Sequence, residues 1–368
     1  MPSLGDLLVT VGAKIDGFEK AMGTVSQRLN AIDRDASKAT RGFEKLSDKL
    51  IGVGTTLTAG LTVPLAAIGV ATTKMAADFE LGMRKVTSLV GGASDKEFAD
   101  LSRQVLELSK VMGVDAVKAT AALYETISAG IPKGNAIEFL KVATTAAIAG
   151  VTDTAVAVDA LTTIIEAFGL KTTDAKAVAD AMFQAVNIGK FQFADLAKAI
   201  GPAAQQASNL GISYQELLAA TATLSLTSGG VSQAVTQIES AMRALLDPTT
   251  EMSAALGEFQ TGSAAIKALG FEGTLEMLRQ KTHGSAEAFN ALFGRIEGAT
   301  GALGLTGDKA QKAAKDLDVM KHSMDGLGAS QIAANEINKS TSREFERLIA
   351  SLKVTSIEMG QSLLPTVN

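Results

Sequence analysis

A ladder of glycines through the middle of the chain constrains the fold most. Gly113, Gly130, Gly150, Gly169 and Gly211 each close an apolar-periodic stretch, and each is followed at once by an aliphatic residue: Val114, Ile131, Val151, Leu170 and Ile212. A helix commonly ends on a left-handed residue, where glycine has no Cβ to clash, and the apolar residue after it packs back onto the last turn. Polar residues suited to starting a helix come next, among them Asp115, Thr152-Asp153, Thr173-Asp174 and Ser213. Ser213 and Glu216 have the spacing of a capping box, in which each side chain satisfies a free amide of the new helix. The five glycines therefore read as helix stops. Consecutive short helices with such tight turns form antiparallel helical hairpins.

Helices are expected over Lys96–Met112, Ala116–Ala129, Asn135–Ala149, Thr154–Phe168, Asp174–Val186, Phe193–Asn209, Tyr214–Thr227 and Gln233–Leu246. The segments Val142–Ile148 and Val156–Ile165 are apolar nearly all round and belong at the centre of the fold. Pro202, directly after Gly201, predicts a kink or a restart in its helix. Asp247-Pro248 closes the block.

The 368 residues are 46% hydrophobic, enough for more than one cored unit. Aromatic content is only 4%, so the cores must be built largely from small side chains on closely approaching helices. The absence of cysteine removes disulfides and thiolate metal sites. Two histidines, His283 and His322, lack partners at metal-ligand or triad spacing. A net charge of −5 with mixed signs argues against specific nucleic-acid binding. Gly91-Gly92 and Gly229-Gly230 lack the Lys-Ser/Thr of a phosphate loop. Asp153 with Asp159, and Asp174 with Asp180, read as helix-start caps and solvated faces rather than acid–base pairs. No catalytic, cofactor-binding or metal residue is expected. Met1 to Asp6 lacks the basic start and apolar run of a secretory signal, so synthesis in a cytoplasm is expected.

Ahead of the ladder, Leu7–Val11 suggests one short strand. Phe18, Met22, Val25, Leu29, Ile32, Ala36, Ala39, Phe43, Leu46 and Leu50 then alternate steps of four and three, the pattern of a coiled-coil seam. Self-association through Phe18, Met22, Val25, Leu29, Ile32, Phe43, Leu46 and Leu50 is one reading. One amphipathic helix lying on its own domain is the other. A charge-free run from Leu50 to Thr73 follows, as long as the ~20 residues a membrane helix needs. It is rich in Gly and Thr and broken by Pro64. It reads either as two short helices packed through small residues, or as a membrane contact through Leu57, Leu61, Val63, Leu65, Ile68 and Val70.

The chain thus divides into a heptad arm (1–50), an apolar Gly/Thr segment (51–77), a helical core (78–250) and a looser helical extension (251–368). In the extension Gly257, Gly262, Gly270, Gly273 and Gly284 break the pattern, and a second cluster runs Gly294, Gly298, Gly301, Gly304, Gly307. A polar helix resumes from Asp308, pauses near Gly326-Leu327-Gly328 and continues through Phe345 to Leu363. The end at Leu364-Pro365-Thr366-Val367-Asn368 has no cap, and the chain is expected to continue beyond it.

Several segments in order resemble a known family. Gly54-Thr55-Thr56-Leu57-Thr58 through Thr62-Val63-Pro64-Leu65, then Ala76-Ala77-Asp78-Phe79-Glu80, resemble the entry to the core of phage tail tape-measure proteins of the TP901 type. Ala116 to Leu123, Ala129-Gly130-Ile131, Ala167-Phe168-Gly169-Leu170, Gly201-Pro202-Ala203-Ala204 and Leu210-Gly211-Ile212-Ser213 follow in the same order. So do Ser228-Gly229-Gly230-Val231-Ser232 and Met242 to Thr249; Leu292-Phe293-Gly294-Arg295 and Met359 to Pro365 resemble what comes after. One departure is local: such cores carry a glycine near the position of Ala234, where this chain has Gly229-Gly230 instead.

The ladder and the heptad spacing give an all-α chain, a coiled-coil-like arm followed by a compact array of antiparallel helical hairpins; the resemblance implies a structural protein acting as template for tail assembly and tail length and assisting DNA ejection. It implies several copies, a trimer or higher, inside the lumen of the virion tail. The implied partners are the tail tube protein, tail assembly chaperones and the distal tail or baseplate initiator, with the host membrane as a further contact on ejection. A pore-forming or secreted helical toxin is the alternative from another class, and a helical scaffold outside any virion is a third. A fully helical chain of this length would span at most ~550 Å, and a folded ladder reaches much less. The segment is therefore expected to be a folded head, with the ruler in other sequence.

Overall fold

The computed structural model describes residues 65–283, 285–323, 325 and 328–363, with side chains from Thr72 to Gln361. The heptad residues from Phe18 to Leu50, the strand expected at Leu7–Val11, and Leu57, Leu61 and Val63 lie outside them. Among the described residues there are 16 α-helices and no strand, as the ladder requires. They fall into two units, one of residues 65–87, 94–120 and 346–363, the other of residues 88–93 and 121–345.

The first unit contains most of α1 (Leu65–Leu89), α2 (Asp95–Met112), the start of α3 (Ala116–Ser128) and the later part of α16 (Thr341–Leu363). Leu65, Ile68 and Val70 fall in the first turns of α1. A reciprocal capping box opens α2: the Glu97 amide donates to Ser94 Oγ at 3.3 Å, and the Ser94 amide donates to Glu97 Oε2 at 3.0 Å. Its stripe of Leu101, Val105 and Leu108 is buried. Asp115 starts α3 by accepting the Val117 and Lys118 amides at 3.0 and 3.2 Å, and Lys353 of α16 donates to its other oxygen at 2.6 Å. Burial raises the cost of ionising Asp115, yet Lys353 and the amides outweigh it and hold the carboxyl below its ordinary range. Glycines permit close approach here: a Cβ on Gly82 would overlap the Thr120 hydroxyl, and one on Gly360 the Thr72 carbonyl.

The second unit holds α4 (Lys133–Ala149), α5 (Thr154–Ala167), α6 (Ala175–Ile188), α7 (Phe193–Leu210), α8 (Tyr214–Ser225) and α9 (Val231–Leu246). It continues with α10 (Thr250–Leu256), α11 (Gly262–Lys281), α12 (Ala286–Phe293), α13 (Ile296–Gly304), α14 (Ala310–Lys321) and α15 (Ala329–Ile337). Helices α4, α5, α7, α9 and α13 are successive neighbours in one row, covered by a second row of α15, α6, α8 and α14. From α5 to α9 the chain alternates between rows. Consecutive helices touch, as hairpins do, but α7 packs most extensively on α5 and α9, the helices one removed in sequence. The core carries Leu140, Leu161, Ile164, Met182, Phe193, Leu196 and Ile200, fully buried among many alanines. Both segments read as apolar all round, in α4 and α5, are largely buried, although α4 stands at the end of its row.

Two expectations change. Helix α7 runs through Pro202 without a restart. Pro202 and Lys198, whose carbonyl loses its helical amide, are both exposed, so water takes the place of the missing bond. The second glycine cluster is also not a loosening of structure. Gly298, Gly301 and Gly304 lie inside α13 and are buried. A Cβ on Gly301 would stand 2.8 Å from the Gln237 carbonyl of α9, and one on Gly298 would stand 3.1 Å from Ser240. Glycine is needed there for contact, not for flexibility.

Candidate functional site

Four of the five expected helix stops adopt left-handed φ: Gly113 at 66°, Gly130 at 83°, Gly169 at 59° and Gly211 at 81°. In each the next amide reaches the carbonyl five residues back: Val114 to Ser109 (3.1 Å), Ile131 to Thr126 (3.3 Å), Leu170 to Ile165 (2.9 Å) and Ile212 to Ala207 (2.9 Å). Ile131 and Ile212 are buried by that closure, as the apolar residue of such a motif should be. The end of α4 differs. Gly150 has φ −85°, and Val151 takes the left-handed place at φ 50°. The closing amide moves one residue on, from Thr152 to Ala147 at 2.9 Å. Gly150 is pressed on the start of α7, where a Cβ would meet Phe193 Cβ at 2.6 Å. Its glycine is demanded by sterics, and the cap shifts by one.

That shift turns Val151 outward. Instead of packing back it is 84% exposed, in a conformation that costs an L-residue roughly 1–2 kcal/mol. Its neighbours extend the pattern. The α4–α5 turn touches Phe193 at the end of the α6–α7 turn. In that turn the Lys190 amide donates to Ser225 Oγ at 3.0 Å, at the end of α8. Gly304 at the end of α13 lies against Leu224 of α8. One edge of the unit is thus a line of turns carrying Val151, half-buried Phe191, Leu226 (41% exposed) and Leu303 (40% exposed). The glycine pattern marks each turn in sequence. Nothing in sequence places them side by side.

The chemistry elsewhere is structural. Among the described residues no group of His, Cys, Asp and Glu is placed to hold a metal ion. His283 and His322 are exposed, and His322 lies 2.8 Å from the Asp318 carbonyl of its own helix. Asp174 accepts the Lys171 amide at 3.0 Å, a local cap as expected. Asp180 departs from expectation: it is fully buried, not on a solvated face, and accepts the Ser330 amide at 2.8 Å. Two other carboxylates act similarly. Glu216, besides capping α8 with Ser213 at 2.9 Å, accepts the Phe271 amide at 3.2 Å where Gly270 breaks α11. Glu276 accepts the Gly307 amide at 2.9 Å and pairs with Arg279, which with that amide outweighs burial and holds its carboxyl down at about 2. Glu272 stands opposite in character. Burial first, then Glu216 and Asp316, push its carboxyl up to about 7, and its Oε1 has no hydrogen-bond partner.

The first unit has a groove of about 600 Å³ between α1, α2 and α16, with Phe98, Leu106 and Val354 in its walls and Glu80, Arg103, Glu107 and Glu358 around them. Its mixed charge suits no single small ligand class. Among the described residues no single helix is long and apolar enough to cross a membrane; α4 and α5 reach that hydropathy only together, across a 114° bend.

A family model described as phage-related minor tail protein matches residues 102–294, more than half of the chain. The probable tape measure protein of Clostridium phage phiCD119 is 25% identical over 331 residues, which is 86% of this chain and 35% of that relative. The tape measure protein of Pneumococcus phage Dp-1 is 24% identical over 255 residues, 69% of this chain and 22% of that relative. The chain therefore spans about a third or less of the length of these relatives. No solved structure matches.

Proposed function

Because the chain belongs to the phage-related minor tail protein family, we propose that it is the folded head of a tape measure protein. It serves as a template in tail assembly while other sequence sets the length. The observation that carries this is the zigzag of α5 to α9 between two rows, which folds the chain back on itself, so that each helix pair advances it by roughly one interhelical spacing of 8–10 Å instead of ~1.5 Å per residue. The lengths of the two relatives agree, since most of each lies beyond the part matched here. In this reading several copies sit in the tail lumen and assist DNA ejection. The line of turns at Val151, Phe191, Leu226 and Leu303 meets a tail component such as the tube protein, an assembly chaperone or the distal initiator. The heptad residues between Phe18 and Leu50 join the copies, and the charge-free run from Leu50 to Thr73 is the one to examine for host-membrane contact. The toxin alternative gains no support from either relative.

In-frame deletion of helix pairs within residues 96–246 of the phage gene tests the reading by electron microscopy of particles. A folded head predicts loss of tails or of infection at normal tail length. Tails shortened in proportion to the deletion would assign the ruler to this segment instead. Val151→Asp with Leu226→Asp should keep the helical fold by circular dichroism and still lower the yield of complete tails.

A further inference from the structure

Helix α15 is held in an unusual way. Its nine residues follow His322, Ser323, Asp325 and Gly328, which lie outside any helix, and precede the break at Asn338–Ser340. It packs on α4 and α6, yet buries only Ser330 and Ala334, while Ile332 faces solvent. Two small buried side chains and a half-buried Ile337 give limited hydrophobic adhesion to a whole helix. The grip comes from Asp180 of α6. Its Oδ1 accepts the Ser330 amide at 2.8 Å and also the Ser330 hydroxyl, and Lys176 donates to its Oδ2 at 3.2 Å. The carboxylate lies at the positive end of the α15 dipole and takes up an amide the helix cannot satisfy itself. Gly328, at φ 86°, lies flat against this pair; a Cβ there would overlap Asp180 Oδ2 and stand 2.6 Å from Lys176 Nζ.

We infer that α15 is a latch, closed over α4 and α6 by the single buried carboxylate of Asp180, and that it opens as a unit while the two rows beneath stay folded. Breaks on both sides let it leave without unwinding α14 or α16. Opening uncovers part of α4 and α6 and gives the buried Asp180 carboxylate access to water, so the open state is solvated at the point where the closed state is held. This device stands whether or not the tail reading holds, since it concerns the chain alone.

Hydrogen exchange of the whole chain, read by mass spectrometry, tests it. In the wild type, residues 329–337 should exchange through a local opening, faster than α5, α7 and α9. Asp180→Asn keeps the shape but weakens the clasp, and should speed exchange in 329–337 at least tenfold while α5, α7 and α9 keep their rates. Gly328→Ala keeps the Asp180 carboxylate but drives a Cβ into it, pushing the helix start away, and should give the same confined pattern; if Asp180→Asn does not fold, this variant decides. Exchange of α15 in step with α7 and α9 in the wild type would overturn the latch. So would a loss of protection spread over the whole unit in Gly328→Ala.

Discussion

At Gly150 a steric demand displaces a conformational one. The nearness of Phe193 requires glycine there, the left-handed position passes to Val151, and an apolar side chain ends in water. Val151→Asn should relieve about 1 kcal/mol of that strain, raising Tm by ~2–4 °C in calorimetry; an unchanged or lower Tm would mean that the turn is not strained. Glu272 makes a second prediction, with its sign set by the direction of its shift. Its carboxyl ionises near 7 in the folded chain but near 4.5 when unfolded, so the folded state holds the extra proton between those values. Stability therefore falls as pH rises through that window, and the penalty is complete above it. Glu272→Gln should melt higher than wild type at pH 8, by a few degrees on the scale of ~2–4 °C per kcal/mol, with the difference gone below about pH 4. Both effects escape sequence reading, because Phe193 and the Glu216–Asp316 surroundings come from distant segments.

At the scale of elements, the eight helices read from the glycine ladder appear within a few residues of their expected ends, because caps and periodicity are local physics. The misreadings have a common cause. Gly298, Gly301 and Gly304 look like helix breakers, yet at three-residue spacing they form one face of α13, where Gly298 and Gly301 fit the backbone of α9 and Gly304 fits Leu224 of α8. Gly301→Leu should destabilise the unit by roughly 1–3 kcal/mol through overpacking, seen as a lower denaturant midpoint. Pro202 errs the other way. Since its lost hydrogen bond faces water, Pro202→Ala should change stability by less than about 1 kcal/mol, far from the ~3 kcal/mol of a damaging interior proline. A larger gain would mean that α7 is strained after all. The break at Asn338–Ser340 also went unread, although Asn338 and Ser340 are cap-type residues and the Arg343 amide donates to Ser340 Oγ at 3.3 Å.

For the whole molecule, long-range carboxylates decide how the later helices join the earlier ones. Glu216 holds Phe271, Glu276 holds Gly307 and Asp180 holds Ser330. Glu276 ionises near 2 instead of 4.5, so its contribution is present above pH 4.5 and is lost as pH falls toward 2. Glu276→Gln should flatten that part of the acid-unfolding curve followed by circular dichroism. By itself the sequence determined an all-α chain, the positions of most helices and the family it resembles. These follow from periodicity, capping and composition, each a property of neighbours along the chain. The tertiary structure alone decided that the turns form one apolar edge, that Asp180 is buried under α15, and that α13 docks through bare backbone. Each of those depends on which distant helix stands within reach, and packing sets that only after the helices have formed.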